Sequence, residues 1–276
     1  MNSPFFSIVV PTLNEEFFLP KLLNDLAKQK EKNFEVIVAD SHSEDKTKEA
    51  ALSFRKNFSI NFFANKRKNV SYQRNFGASQ AKGKYLIFLD ADSQVTISFT
   101  KKLEKTILKK NGLFFLPSLK TDEDSAEIKF MTDILNFFIE ISQNINRPFA
   151  FGGAMILERN YFLTIGGFDE TVTIAEDYDL AQRSLKWGVR AKFLPEVAVT
   201  YSLRRIRKEG KLQAYYKYML STTQYLLKGK IDSNLIKYEM GGHLYREMKR
   251  SKQPSNNYLC DILRKAKKTF IKLLKE

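Results

Sequence analysis

A chain of 276 residues with 43% apolar content is long enough to bury a full core, which excludes an intrinsically disordered protein and leaves one large domain with an appendage or two smaller ones. The single Cys260 excludes a disulfide framework and suits a reducing interior, and with only His42 and His243 beside it a Cys/His zinc site is disfavoured. The net charge of +15 is unevenly spread: from Arg204 onward 19 Lys and Arg face 6 Asp and Glu, so an almost neutral body carries a basic C-terminal block suited to polyanions, either lipid headgroups or nucleic acid.

Phe5-Phe6-Ser7-Ile8-Val9-Val10 reads as a first strand, stopped by Pro11. After Thr12-Leu13-Asn14-Glu15-Glu16, an apolar period at Phe18, Leu22, Leu23 and Leu26 predicts a helix. Thr12 or Asn14 would cap it, with both glutamates near its positive end. Phe34 to Ala39 repeats the form, a β-branched run that ends in Asp40-Ser41-His42-Ser43-Glu44-Asp45. Ile60 to Phe63 is a weaker third strand, and Tyr72 to Ala81 a short helix. Tyr85 to Leu89 is an apolar run preceded by Gly83 and stopped by Asp90-Ala91-Asp92, which fits a buried parallel strand. This alternation predicts a doubly wound α/β sheet whose ligands sit beyond the carboxyl ends of its strands. Two carboxylates one residue apart at such an end can hold a divalent cation while leaving positions for substrate phosphates. The plain alternative is a strand-end cap and a turn.

Past the fourth strand the alternation lapses. Ile128, Met131, Ile134, Leu135, Phe138 and Ile141 predict a long amphipathic helix that ends in Asn144-Ile145-Asn146-Arg147-Pro148, and a stripe of this kind is more often core than sugar platform. Gly152-Gly153 and Gly166-Gly167 bracket a strand and a short helix over 154–165, where glycine serves a turn or lets the backbone approach a ligand. Glu176-Asp177 opens a helix with Leu180, Ala181 and Leu185 on its apolar side; either acid could merely cap it. Val197 to Tyr201 reads as an edge strand, followed by Arg204 and Arg205, which form either a solvated basic turn or a fork for a diphosphate. No G-x-G-x-x-G follows any strand, and the P-loop-like run from Gly77 to Tyr85 has the wrong spacing, the wrong final residue and the wrong position. A bound nucleotide would therefore be held by side chains such as Asp40, which can accept from a base N–H, and by a cation on its diphosphate.

In this order, SIVVPTLNEE, VIVADSHSED, YQRNFGASQAKGKYLIFLDADSQV, FGGAMILERNYFLTIGGFDE and AEDYDLAQRSLKWG resemble family 2 glycosyltransferases over roughly Ser7 to Tyr201. The resemblance implies the GT-A fold, a Rossmann-like, mostly parallel sheet flanked by helices, over residues 1–203, with a basic helical extension over 204–276. It implies inverting, metal-dependent transfer of a sugar from a nucleotide diphosphate, UDP by preference, to a glycan or lipid-linked acceptor. Carried over by residue, Pro11, Thr12, Asn14 and Glu15 line the nucleoside pocket and Asp40 contacts the base. Arg74, Asp90 and Ala91 lie beside the nucleotide, and Asp92 with Asp90 holds Mn2+ or Mg2+. Asp177 is the general base, with Gly152, Gly153 and Glu176 at the donor or acceptor pocket. Arg204 and Arg205 are offered to the diphosphate. A helix start lowers a carboxylate's pKa, so a basic Asp177 requires burial or a neighbouring acid such as Glu176.

After Tyr201 the match weakens, and the Q-x-x-R-W motif of many processive members is missing. Two amphipathic patterns remain, Leu212, Tyr215, Tyr216, Met219, Leu220, Thr223 and Leu227, then Leu259, Ile262, Leu263, Ala266, Phe270 and Leu273 with lysines between. A basic amphipathic helix suits an anionic membrane surface, each near-surface cation contributing about 1 kcal/mol; the alternative is a helix packed on the domain with its lysines in water. Met1 to Pro11 lacks the apolar core of a secretory leader, and no apolar run approaches the ~18 residues that span a bilayer. The expectation is a cytoplasmic enzyme, peripheral at the inner face of the cell membrane, with a polyprenyl phosphate as an alternative acceptor. A basic nucleic-acid-binding protein is a second class, disfavoured because it leaves the ordered acids unused.

Overall fold

The structure is a computed structural model and describes residues 3–144, 148–150, 153–172, 174–209 and 241–245. The chain divides into two units, 1–202 with 240–243 and 203–239 with 244–276. In the first unit, β1 (Phe6–Thr12), α1 (Leu19–Ala27), β2 (Phe34–Asp40), α2 (Thr47–Leu52), β3 (Ser59–Ala64), α3 (Val70–Ser79) and β4 (Tyr85–Leu89) alternate as a doubly wound fold requires. There follow β5 (Gln94–Val95), α4 (Phe99–Lys110), β6 (Phe114–Thr121), α5 (Ala126–Ser142), β7 (Ala154–Glu158), α6 (Arg159–Thr164), α7 (Glu176–Lys186) and β8 (Lys192–Tyr201). The described part of the second unit contains α8 (Arg204–Glu209).

The strands form one sheet in the order β3-β2-β1-β4-β7-β6-β8-β5. β3, β2, β1 and β4 are mutually parallel, whereas β7 runs antiparallel to both β4 and β6. β6 and β8 are parallel again, and β5 closes the far edge antiparallel to β8. A seam therefore runs between β4 and β7. Successive residues of a strand point to opposite faces, so β1 divides its side chains between two cores. Ile8 and Val10 join Leu22, Leu23 and Leu26 of α1 with Leu103 and Ile107 of α4. Val9 joins Ala78 of α3, Phe162 of α6 and Leu180 of α7 on the other face. Coverage on both faces is why β4 is apolar throughout, and why the buried Ser7 of β1 and Glu35 of β2 are paired with each other, Ser7 Oγ donating to Glu35 Oε1 at 2.7 Å.

Four local expectations are corrected. Pro11 does not stop β1, which runs to Thr12; Pro11 lies beyond the last β1–β4 pair, Val9 with Phe88, where a ladder continues on one side only. α1 starts at Leu19 with Pro20 in its first turn, no acid there and no side-chain cap. Asn14 and Glu15 stay in the loop, and the Glu15 carbonyl accepts from the Phe18 and Leu19 amides. β8 is not an edge strand at its C-terminal end, because β5 covers Val199 and Thr200. Of the predicted α5 stripe, Ile128 is buried and Ile134 and Leu135 are half-buried, but Met131, Phe138 and Ile141 are exposed, as are Phe130 and Phe137 beside it. α5 is apolar on several sides, and only one of them meets the sheet.

Candidate functional site

At the carboxyl ends of β1 and β2 the buried Asp40 carboxylate accepts from Thr12 Oγ1 at 2.8 Å, from the Ser43 amide at 2.7 Å and from Ser43 Oγ at 2.5 Å. A carboxylate has about four acceptor positions, so one remains for a donor such as a base N–H. Asn14 has left-handed backbone, φ 53°. Its amide donates to Ser43 Oγ at 2.7 Å, and its side-chain oxygen accepts from the Glu44 amide at 2.8 Å. Glu15 is buried and its amide donates to Thr47 Oγ1 at 2.8 Å. Below this loop, Gln73 of α3 donates from Nε2 to the carbonyls of Thr12 and Ala39, at 2.8 and 2.6 Å. The loops after β1 and β2 are thereby fastened to each other and to α3.

The next residue of α3, Arg74, reaches the end of β4. Its side chain is only 3% exposed, and it forks to Asp90 Oδ1 at 2.9 Å and to Glu176 Oε1 at 2.6 Å. The guanidinium also stacks 5.3 Å from the Phe168 ring centre. Burial alone would lower the Arg74 pKa, but the Asp90 and Glu176 carboxylates more than offset it, and the net direction is upward. Next in the chain, Asp177 is buried in the first turn of α7, whose N-cap is Ala175, with no side-chain cap. Burial, followed by the charge of Glu176, pushes the Asp177 carboxyl well above the ordinary range. The backbone N–H groups at Tyr178 and Asp177 and the Arg74 charge pull the other way without prevailing. Loss of hydration outweighs the helix start.

Sequence reasoning overlooked Gln73 and Tyr201. A buried glutamine has no signature in a linear pattern. Tyr201 ends β8, and the strand-end rule that singled out Asp90 applies to it equally. Its hydroxyl is buried, and burial, then Asp90, then Asp177 and Asp92 raise its pKa well above the ordinary tyrosine value against the opposing Arg74 charge. Gly153 makes room for it, since a Cβ there would fall 1.9 Å from Tyr201 Cε1. Ala91 is buried and Asp92 half-buried behind Asp90. Arg204 and Arg205 open α8 of the second unit instead of a turn, and the Arg204 guanidinium lies 4.9 Å from the Tyr245 ring centre. Gly152 and the two C-terminal amphipathic patterns lie outside the described residues.

The described residues contain no cluster of three or more His, Cys, Asp or Glu able to enclose a metal. Asp90 and Asp92 therefore fit only a cation that completes its shell elsewhere, as Mg2+ or Mn2+ does on a substrate diphosphate.

A sheet with a parallel N-terminal half, acids at the carboxyl end of its central strand and a second acid pair brought over the same end defines the GT-A class of glycosyltransferase fold. The profile described as "Glycosyl transferase family 2" matches residues 7–166, and the chain belongs to that family. An uncharacterized glycosyltransferase of Haemophilus influenzae is 26% identical over 184 residues, 65% of this chain and 62% of that protein. S. aureus TarS 1-349, solved in complex with UDP-GlcNAc, is 20% identical and superposes with a TM-score of 0.61 over 83% of this chain and 68% of its own. Mannosyltransferase PcManGT from Pyrobaculum calidifontis, in complex with GDP-Man and Mn2+, is 19% identical with a TM-score of 0.62 over 83% of this chain and 63% of its own. The chain thus spans less than two thirds of the Haemophilus relative's length.

Proposed function

We propose that this protein transfers a sugar, with inversion, from a nucleotide diphosphate to a hydroxyl of a glycan or lipid-linked acceptor. One observation carries the reading: Arg74 ties the acid motif of β4 to the acid pair of α7, so a cation site and a buried, basic carboxylate share one strand end. In this reading Thr12, Asn14, Glu15 and Asp40 hold the nucleoside, with the remaining acceptor position of Asp40 facing the base. Asp90 and Asp92 hold the divalent ion, Mn2+ or Mg2+, which when bound offsets negative charge on the diphosphate. Asp177 takes the acceptor hydroxyl's proton as that oxygen attacks the anomeric carbon. The bond from that carbon to the diphosphate breaks on the opposite face, and its electron pair leaves with the nucleotide. The neutral Tyr201 phenol, kept protonated by burial and the surrounding acids, adds no competing negative charge. UDP is the favoured carrier, by family resemblance and by the UDP-GlcNAc complex of the TarS relative.

The exposed aromatic face of α5 and the basic C-terminal block support an acceptor met at an anionic membrane surface, on the cytoplasmic side. Among the described residues no helix is long and apolar enough to cross a membrane. Calorimetric titration with UDP, GDP and dTDP, each with and without Mn2+, tests the reading. One nucleotide should bind in the micromolar range only with the metal, and Asp92→Ala should abolish that binding. A folded protein that binds none of the three overturns it.

A further inference from the structure

The donor loop has a partner from the far end of the chain. Gly242 donates its amide to the Leu13 carbonyl at 2.9 Å. Asn14 Nδ2 lies 3.1 Å from His243 Nδ1 across 229 positions of sequence. Because Asn14 Oδ1 already accepts from the Glu44 amide, the orientation of its side-chain amide is fixed and Nδ2 faces the histidine. Nδ2 can only donate, so Nδ1 accepts, and a neutral ring carries its proton on Nε2.

Two consecutive glycines make this approach feasible. Gly241 has φ +116°, a conformation that side-chain-bearing residues rarely adopt. A Cβ on Gly242 would lie 2.4 Å from Glu15 Oε2 and 2.5 Å from the Asn14 carbonyl. Contacts from two successive residues, Gly242 and His243, thus converge on Leu13, Asn14 and Glu15, the loop that holds Asn14 in its left-handed conformation.

We infer that Gly241-Gly242-His243 is a strap that positions the donor loop, so the nucleotide site is complete only with this C-terminal segment in place. The inference rests on the proposed role of Asn14 and Glu15 in nucleoside binding. His243 acts through Asn14 and is a positioning residue. A bound nucleotide, by holding the loop, should in turn hold the strap, because the two share the same contacts.

The test uses the full chain with UDP, GDP and dTDP in the presence of Mn2+. Whichever nucleotide binds the wild type should bind His243→Ala roughly three- to tenfold more weakly, the effect of one lost hydrogen bond. His243→Gln, which keeps an acceptor, should recover part of the loss, and Gly242→Val should bind more weakly than His243→Ala. His243 is exposed, so His243→Ala should unfold thermally as the wild type does, which separates loss of positioning from loss of fold. Hydrogen exchange in the peptide carrying residues 241–245 should slow when that nucleotide is added. If the wild type binds while His243→Ala binds equally well and exchange there is unchanged, the strap is surface packing and the inference falls. If the wild type binds none of the three, the donor reading itself falls and takes the inference with it.

Discussion

Asp177 is a carboxyl that the fold holds in a costly state. Its raised pKa means that the folded protein retains a proton which the unfolded chain has shed, so stability falls as pH rises from the ordinary aspartate value through the raised one. Asp177→Asn removes that penalty. Near about pH 4 variant and wild type should unfold at similar temperatures, and near about pH 8 the variant should unfold higher. Transfer should fall by roughly 10²–10⁴-fold, the usual contribution of a general base. In the wild type, the acidic limb of kcat/KM should lie above the ordinary carboxylate range. Thermal scans at the two pH values and a pH–rate profile check both statements. Arg74 is the converse case. Arg74→Ala would leave the mostly buried Glu176 without its cation, at a cost toward the low end of ~3–5 kcal/mol because Asp90 is partly solvated. Arg74→Lys keeps the charge but cannot fork to two carboxylates, so it should recover only part of the loss in urea unfolding.

For individual elements, α5 offers a controlled comparison between adjacent residues. Ile139 is 2% exposed and Phe138 59% exposed. Ile139→Ala should cost about 2–5 kcal/mol in urea unfolding, and Phe138→Ala, despite the larger deletion, should stay within about 0.5 kcal/mol. Equal losses would mean that the exposed face is covered. The strands are the legible elements: Tyr85 to Leu89 announces itself by an unbroken apolar run and Phe34 to Ala39 by a β-branched run interrupted only by Glu35, and β4 and β2 match them within a residue. The start of α1 was not legible. Asn14 is a good cap in isolation, but here its side chain is committed to Glu44 and His243, contacts that no local window contains. The α5 stripe was misread for the opposite reason, since periodicity marks an apolar face without saying what covers it.

Across the whole molecule, the +13 carried from Arg204 onward predicts association with anionic surfaces. The full chain should sediment with vesicles rich in anionic lipid and not with neutral ones. Release should be nearly complete near 1 M salt, where screening falls to ~3 Å. Association that persists at high salt would point to apolar insertion. At this scale, too, part of the site could be read in advance. The acids of β4 and α7 stood out because each follows an abrupt change of pattern, whereas the Arg74 fork that joins them required knowing that α3 lies beneath both.

In the proposed reading, the seam between β4 and β7 separates two tasks. The loops after β1 and β2, Asp90 and Asp92 come from the parallel side, whereas Glu176 and Asp177 come from the chain that follows β7. The links across it radiate from α3 and the loop before it: Arg74 to Glu176, Arg67 to Glu170, Asn69 to the Glu170 carbonyl, and Asn75 to the Phe168 carbonyl. On that reading, substitutions beyond β7 would alter acceptor preference and leave the donor side intact, provided the few residues riveting α3 to the far side are kept.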